Sequence, residues 1–278
     1  MRFLINTSLL YITILSLYSP AILAWGKTGH RIVAEIAQRN LDPKTLKEIK
    51  DLMGDEDLSR ASNWPDEIRS NSKYNYTWPW HYVSIPNGKS YFDQKRKSEG
   101  DVIESLFRNE DILRDLKAPK EQRIEALRFV IHFLADLHQP LHVGLEEDRG
   151  GNSIRVKWFK TETNLHTVWD EEIIDFEKLS FTEYSTYLNH FSDDEKKDWQ
   201  KGQYLDWAKE SQELRPKVYD MPENKSLSFE YGYKAKPIIE QRLKQAGLRL
   251  AYVLSHIFSQ EKQQNADFEI RKKIKENI

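Results

Sequence analysis

Residues Phe129 to Gly144 read Phe-Val-Ile-His-Phe-Leu-Ala-Asp-Leu-His-Gln-Pro-Leu-His-Val-Gly, and this stretch decides the fold. As far as Leu137 it is almost wholly apolar, which suits a helix buried around most of its circumference. His132 and Asp136 stand four residues apart, so their side chains lie on one helical face. Pro140 disfavours helical geometry at Gln139, so the helix ends there and His142 falls on the turn beyond. Two imidazoles and a carboxylate so placed fit a metal platform. The stretch taken alone fits a core helix with a paired His and Asp at least as well.

Working outward, Lys120 to Leu137 is one helix and Asp101 to Leu116 another. Gly26 to Asn40 is a third, with Ile32, Val33, Ile36 and Ala37 at core spacing and His30 in its first turn. Pro43 suits the first turn of a helix ending near Met53-Gly54. In Trp64-Pro-Asp-Glu-Ile-Arg69, Asp66 and Arg69 follow a turn at helical spacing. Asp66 fits a helix cap as well as a ligand, and Arg69 a solvated charge as well as an anion contact. The aromatic run from Tyr74 to Tyr82 leads into an alternating, extended segment, His81 to Ile85.

Gly150-Gly151 marks a turn. Ser153 to Phe159 alternates as a strand, half of a hairpin. Asn164 to Ile174 returns to helix, with His166 and Asp170 again four apart. Two polar-faced helices span 181–205, and a long helix runs from about Ala235 to Phe258. The fold class expected is all-α, mainly helical, with a small β-hairpin.

The 278 residues are 39% hydrophobic, ample for a large core, and carry a net charge of −2. That charge excludes a basic surface for tight, sequence-independent duplex binding. There is no cysteine. Disulfides, thiolate metal sites and thiol nucleophiles are therefore excluded, and any metal must be held by His, Asp, Glu or backbone groups.

Met1-Arg2 precedes an apolar run from Phe3 to Tyr18 and a small residue at Ala24. Residues 1–24 read as a cleaved signal peptide, the run being shorter than a membrane span of about 20 residues. The mature domain expected is 25–259, followed by a charged tail, 260–278, that frays. The protein is expected to be secreted or periplasmic, without stable membrane association. Cleavage would expose the amine of Trp25, which can chelate a metal together with its own carbonyl.

Several motifs occur in one order along the mature chain. They are Trp25-Gly-x-x-Gly-His30, Trp64-Pro-Asp66-x-x-Arg69, Trp80-His81-Tyr82, His132-Phe-Leu-Ala-Asp136-x-His-Gln-Pro-Leu-His142, Gly150-Gly151-Asn152 and Asn164-Leu-His166-x-x-Trp-Asp170. In this the chain resembles the zinc-dependent single-strand nucleases and 3′-nucleotidases of the S-one/P-one type. The resemblance implies a trinuclear site of three zinc ions. Asp66, His81, His132 and Asp136 would hold the first. His142, His166 and Asp170 would hold the second. The Trp25 amine and carbonyl with His30 would hold the third, Asp136 bridging it to the first.

The resemblance further implies a monomeric endonuclease on single-stranded DNA and RNA, leaving 5′-phosphorylated products and acting on 3′-nucleotides. Asp66, Arg69 and Asp136 are its candidate catalytic residues. Tyr82, beside a ligand, is a candidate for stacking on a base, or an ordinary core aromatic. Asn152 either bonds substrate or shapes its turn. Ser84 stands where many relatives carry an acidic residue that contacts the base edge. The alternative is a zinc-dependent phospholipase C, which also uses a terminal Trp and three zincs. The short Trp25-to-His30 gap and Asp170, where those lipases carry Glu, favour the nuclease.

Overall fold

The computed structural model describes residues 25–93, 97–259 and 270–274. The expected signal segment, 1–24, and most of the expected tail lie outside the described residues. No helix among the described residues is long and apolar enough to cross a membrane.

The central element is α6 (Lys120–Leu137), buried continuously from Phe129 to Leu137. Over that stretch its apolar residues leave no face for water, so neighbours cover it on every side. Each fully buried Leu, Ile or Phe there contributes about 1.5–3 kcal/mol of transfer free energy. Helix α1 (Lys27–Asn40) runs close by, with Ile32, Val33, Ile36 and Ala37 fully buried as their spacing predicts. Asp42 caps α2 (Pro43–Met53) by accepting from the Lys44 and Thr45 amides, and Gly54 ends it at φ 74°. Short helices α3 (Leu58–Ala61) and α4 (Trp64–Glu67) follow, and α5 (Val102–Arg114) packs along α6.

Beyond α6, Pro140–Val143 forms a 3-10 turn. Strand β1 (Arg155–Trp158) pairs antiparallel with β2 (Thr161–Asn164), giving the expected hairpin. A third short strand, β3 (Ser226–Leu227), adds in parallel to β1. Helices α7 (Leu165–Thr167) and α8 (Ile173–Phe176) flank a π-turn at Val168–Glu172. Then come α9 (Phe181–Leu188), α10 (Asp193–Trp199), α11 (Tyr204–Val218) and α12 (Phe229–Phe258). α12 lies against α1, and Gly247 makes the approach close: a Cβ there would sit 2.4 Å from Ile36 Cγ2.

Three expected elements differ from the sequence reading. The aromatic run Ser72–His81 is a 3-10 helix, and only the residues after it are extended. The extended part bonds to the turn after α6, Val83 N–H to the His142 carbonyl and Ile85 N–H to the Gly144 carbonyl. Helix α12 begins at Phe229, six residues before the expected Ala235, and runs through Pro237. Its first turns are pinned by the buried Tyr231, whose hydroxyl accepts from Trp169 and donates to the Val218 carbonyl. Within the expected fraying tail, residues 270–274 are helical. Arg271 is buried there and ion-paired to Glu110 and Asp111 of α5.

Candidate metal centre

Six scattered elements bring their side chains to one buried place. Helix α6 presents His132 and Asp136, α1 presents His30, and α4 with the 3-10 turn after it presents Asp66 and Arg69. The last residue of the Ser72–His81 helix is His81. His142 comes from the turn after α6, and His166 and Asp170 from the helical stretch that begins with α7. His30, His81, His132, Asp136 and His142 are all fully buried.

Asp136 is the hub. Its Oδ1 lies 3.3 Å from His30 Nε2 and 3.6 Å from His142 Nδ1. Its Oδ2 lies 3.2 Å from both His81 Nδ1 and His132 Nε2. The imidazole of His30 stacks on that of His132, centroids 3.8 Å apart. Asp66 Oδ1 approaches the same group, 3.9 Å from His81 and 4.0 Å from His132. Burial alone would raise the Asp136 pKa, but the His132 and His142 imidazoles outweigh it and hold the carboxyl well below the usual range. Burial pushes His81 down to about 4 and lowers His30. His132 goes the other way: burial opposes its charge, but Asp136 and Asp66 outweigh it. At neutral pH Asp136 is ionised, and His30 and His81 are neutral, the forms that ligate metal.

A second group adjoins the first. His166 Nε2 is 3.0 Å from Asp170 Oδ2, and His142 Nε2 is 3.7 Å from Asp170 Oδ1. The imidazoles hold Asp170 below its ordinary pKa despite burial, His166 first. Three histidines have their far nitrogens tied to main-chain carbonyls. His132 Nδ1 meets the Ser62 carbonyl at 2.6 Å, His142 Nδ1 that of His81 at 2.7 Å, and His166 Nδ1 that of Gly150 at 2.6 Å. A carbonyl can only accept, so each Nδ1 carries a proton and each Nε2 is the nitrogen that faces the cluster, available to a metal that displaces any proton on it.

The residues present fit divalent metal. His30–Asp66–His132, His81–His132–Asp136 and His142–His166–Asp170 each place their ligand atoms within 4.8 Å of one another. His30 Nδ1 and Nε2, His81 Nε2, His142 Nε2, Asp66 Oδ1, Asp136 Oδ1 and Asp170 Oδ2 are buried without a hydrogen-bond partner in the protein. Buried polar atoms without partners are costly, and bound cations would satisfy those that face the cluster. An all-nitrogen-and-oxygen donor set rich in imidazole suits zinc and its first-row neighbours.

The remaining expected residues fall around this cluster. Trp25 is fully buried, its indole donating to the Ala135 carbonyl at 2.8 Å, and the next amide, Gly26 N–H, donates to the Asp170 carbonyl. Trp25 and Gly26 thus lie between the residues flanking Asp136 and those of the second group. Arg69 pairs with Asp66 at 3.2 Å. Tyr82, Ser84 and Lys97 line a cavity of about 330 Å³ that His166 also walls. The Lys97 ammonium donates to the Tyr82 hydroxyl and lies 4.2 Å from its ring centre. Asn152 donates from its side-chain amide to the Arg149 carbonyl at 2.9 Å.

Sequence reasoning missed the supporting roles of Gln139 and Arg215, and marked Gly150 only as a turn residue. Gln139 donates to Asp170 Oδ1 at 2.6 Å and accepts from the Leu141 amide, tying the end of α6 to the second group. Its place between two histidines and before Pro140 was the only signal. Arg215 on α11 donates to the Ile85, Val143 and Gly144 carbonyls, bracing the turn that carries His142. Gly150 approaches so closely that a Cβ would lie 2.4 Å from the Leu141 oxygen, at φ 59°.

A sequence model for the family described as S1/P1 Nuclease matches residues 25–259. Endonuclease 2 of Arabidopsis thaliana is 32% identical over 288 residues, covering 91% of this chain and 98% of its own length. Endonuclease 4 of the same plant is 32% identical, covering 85% and 90%. Nuclease S1 of Aspergillus oryzae is 29% identical, covering 85% and 92%.

Proposed function

The chain belongs to the S1/P1 nuclease family and is a hydrolytic nuclease, and from that premise we propose that it is a secreted endonuclease of single-stranded DNA and RNA working through three zinc ions. Its products are 5′-phosphorylated, and it also removes phosphate from 3′-nucleotides. The observation that carries this reading is the convergence of five histidines and three aspartates on one buried cluster centred on Asp136. Trp25, with the amine freed by removal of residues 1–24, completes the ligand set within a domain of 25–259.

Bound metal supplies positive charge and Lewis acidity toward phosphoryl oxygens and acidifies water in its shell. The chain's own residues do the rest. Asp136 keeps its negative charge at the hub, so the imidazoles around it stay aligned. Asp66, held by Arg69, orients the attacking water through Oδ1. Arg69 offers its planar fork to the charge that develops on the phosphoryl oxygens. The cluster is buried, so a phosphate must enter a cleft that an unwound strand can follow and a stacked duplex cannot. Tyr82 on the cavity wall stacks on a base, and Ser84 beside it leaves base preference different from relatives with an acidic residue there.

The test is secreted, N-terminally sequenced protein assayed for metal content and for hydrolysis of denatured DNA, duplex DNA, RNA and a lecithin emulsion. Three zincs per chain, chelator-sensitive cleavage of the single strands and 5′-phosphate ends are the expected results. Hydrolysis of lecithin alone would establish the phospholipase instead. Metal binding without turnover would leave a purely structural site.

A further inference from the structure

Trp78 is half exposed at 50%, on a segment whose other tryptophan, Trp80, is 4% exposed. Both belong to the 3-10 helix that ends in His81. In a 3-10 helix, side chains three residues apart eclipse one another, so Trp78 stands in line with His81 along the helix edge. The Arg69 guanidinium lies 5.8 Å from its ring centre, and the same guanidinium is 3.2 Å from Asp66 Oδ1. One arginine therefore separates an outward-facing indole from the cluster. The nearby Tyr76 is also exposed, but it packs edge-on against Trp80. Neither Trp78 nor Arg69 lines the cavity beside Tyr82.

The backbone under Trp78 is fixed. Thr77 is buried, with its hydroxyl on the Tyr74 carbonyl, Pro79 follows, and the Trp80 indole donates to the Glu99 carbonyl at 2.7 Å. A flat apolar side chain on a fixed backbone, next to the guanidinium that the nuclease reading assigns to the phosphate, suits stacking on an unstacked base. Each flanking base of a strand lying across the cluster then has its own aromatic surface, Tyr82 in the cavity and Trp78 beyond Arg69.

We propose that Trp78 is a base-stacking platform for the nucleotide that flanks the scissile phosphate on the Arg69 side. This rests on the nuclease reading above, and it names a substrate-contacting residue which that reading does not contain. A two-base grip makes a polynucleotide a better substrate than a mononucleotide.

The experiment is a cycle between residue and substrate. KM and kcat are measured for thymidylyl-thymidine and for two analogues in which one base or the other is replaced by an abasic tetrahydrofuran. Wild type, Trp78→Leu and Trp78→Phe are compared. In wild type, removing the base on the Trp78 side raises KM about tenfold, the scale of one base–aromatic stack. In Trp78→Leu that same removal changes KM by less than twofold, while removing the other base costs as much as in wild type. Trp78→Phe, which keeps a ring and the packing, restores most of the coupling. Equal losses for all three substrates in Trp78→Leu, mainly in kcat, would make Trp78 a mere support of Arg69 and overturn the proposal. Wild-type protein that cleaves no single-stranded substrate would overturn the nuclease reading and this one with it; normal cleavage without coupling overturns this one alone.

Discussion

Gln139 shows how one neutral side chain governs a charged cluster. Its amide nitrogen holds Asp170 Oδ1 while its amide oxygen holds the Leu141 amide, so it fixes the acid and the His142 turn together. Partners of this kind orient ligands, and their loss costs 10–100-fold in metal affinity or activity. Gln139→Ala is expected to fold, to lose metal from the His142–His166–Asp170 group first, and to drop in activity by about 10–100-fold. Metal titration followed by calorimetry checks it; unchanged affinity would show that Asp170 needs no such brace. Gly150 is the second residue of this kind. In Gly150→Ala the new methyl group meets the Leu141 oxygen at a backbone angle that L-residues avoid, a strain of about 1–3 kcal/mol. Because the Gly150 carbonyl holds His166 Nδ1, the variant should lose thermal stability and second-group metal together. Loss of stability with full metal occupancy would separate the turn from the site.

At the scale of elements, the end of α6 is held by two helices far along the chain. The Leu137 carbonyl accepts from Ser211 of α11, and the His138 carbonyl from Arg242 of α12. These are terminal carbonyls that the helix itself cannot satisfy. Arg242 and the buried Arg249 are in turn anchored by Glu210 of α11 at 2.6 Å each, and Arg249 reaches His138 Nε2. Burial opposes the charge of Glu210, but Arg249 and Arg242 outweigh it and lower its pKa. A carboxyl with a depressed folded pKa stabilises fully above the unfolded value of about 4.3, and that stability fades as pH falls through the folded value. Glu210→Gln should therefore cost about 2 kcal/mol at pH 7, discounted for a carboxylate about a third exposed. The gap from wild type should close in acid, as melting curves from pH 7 to pH 3 will show; a pH-independent gap would refute the ion-pair account. None of this was legible beforehand. The sequence reading left α11 out, because its apolar residues are few and Pro216 lies near its end. It started α12 late because proline normally marks a first turn. Helix α1, with core residues at helical spacing, and α6, a long apolar run ended by Pro140, agree with the sequence reading to within a residue.

For the whole molecule, the cluster is a stability term as well as a reactive one. Ligands that bind the folded state alone stabilise it by mass action. Chelation is thus expected to lower the melting temperature, and restored zinc to recover it. A protein carrying one extra residue ahead of Trp25 should fold yet bind one zinc fewer and be nearly inactive; full occupancy in it would remove the terminal chelate. By itself the sequence determined which residues share a helical face, as with His132 and Asp136, because a four-residue spacing and a following proline are local facts. It also carried the ordered motifs that define the family. Only the tertiary structure decided that Asp136 faces four imidazoles at once, and which nitrogen of His132, His142 and His166 is left to ligate. The carbonyls that fix those nitrogens belong to Ser62, His81 and Gly150. Three of those choices depend on chain segments that meet only after packing, and no local pattern records where a distant carbonyl will point.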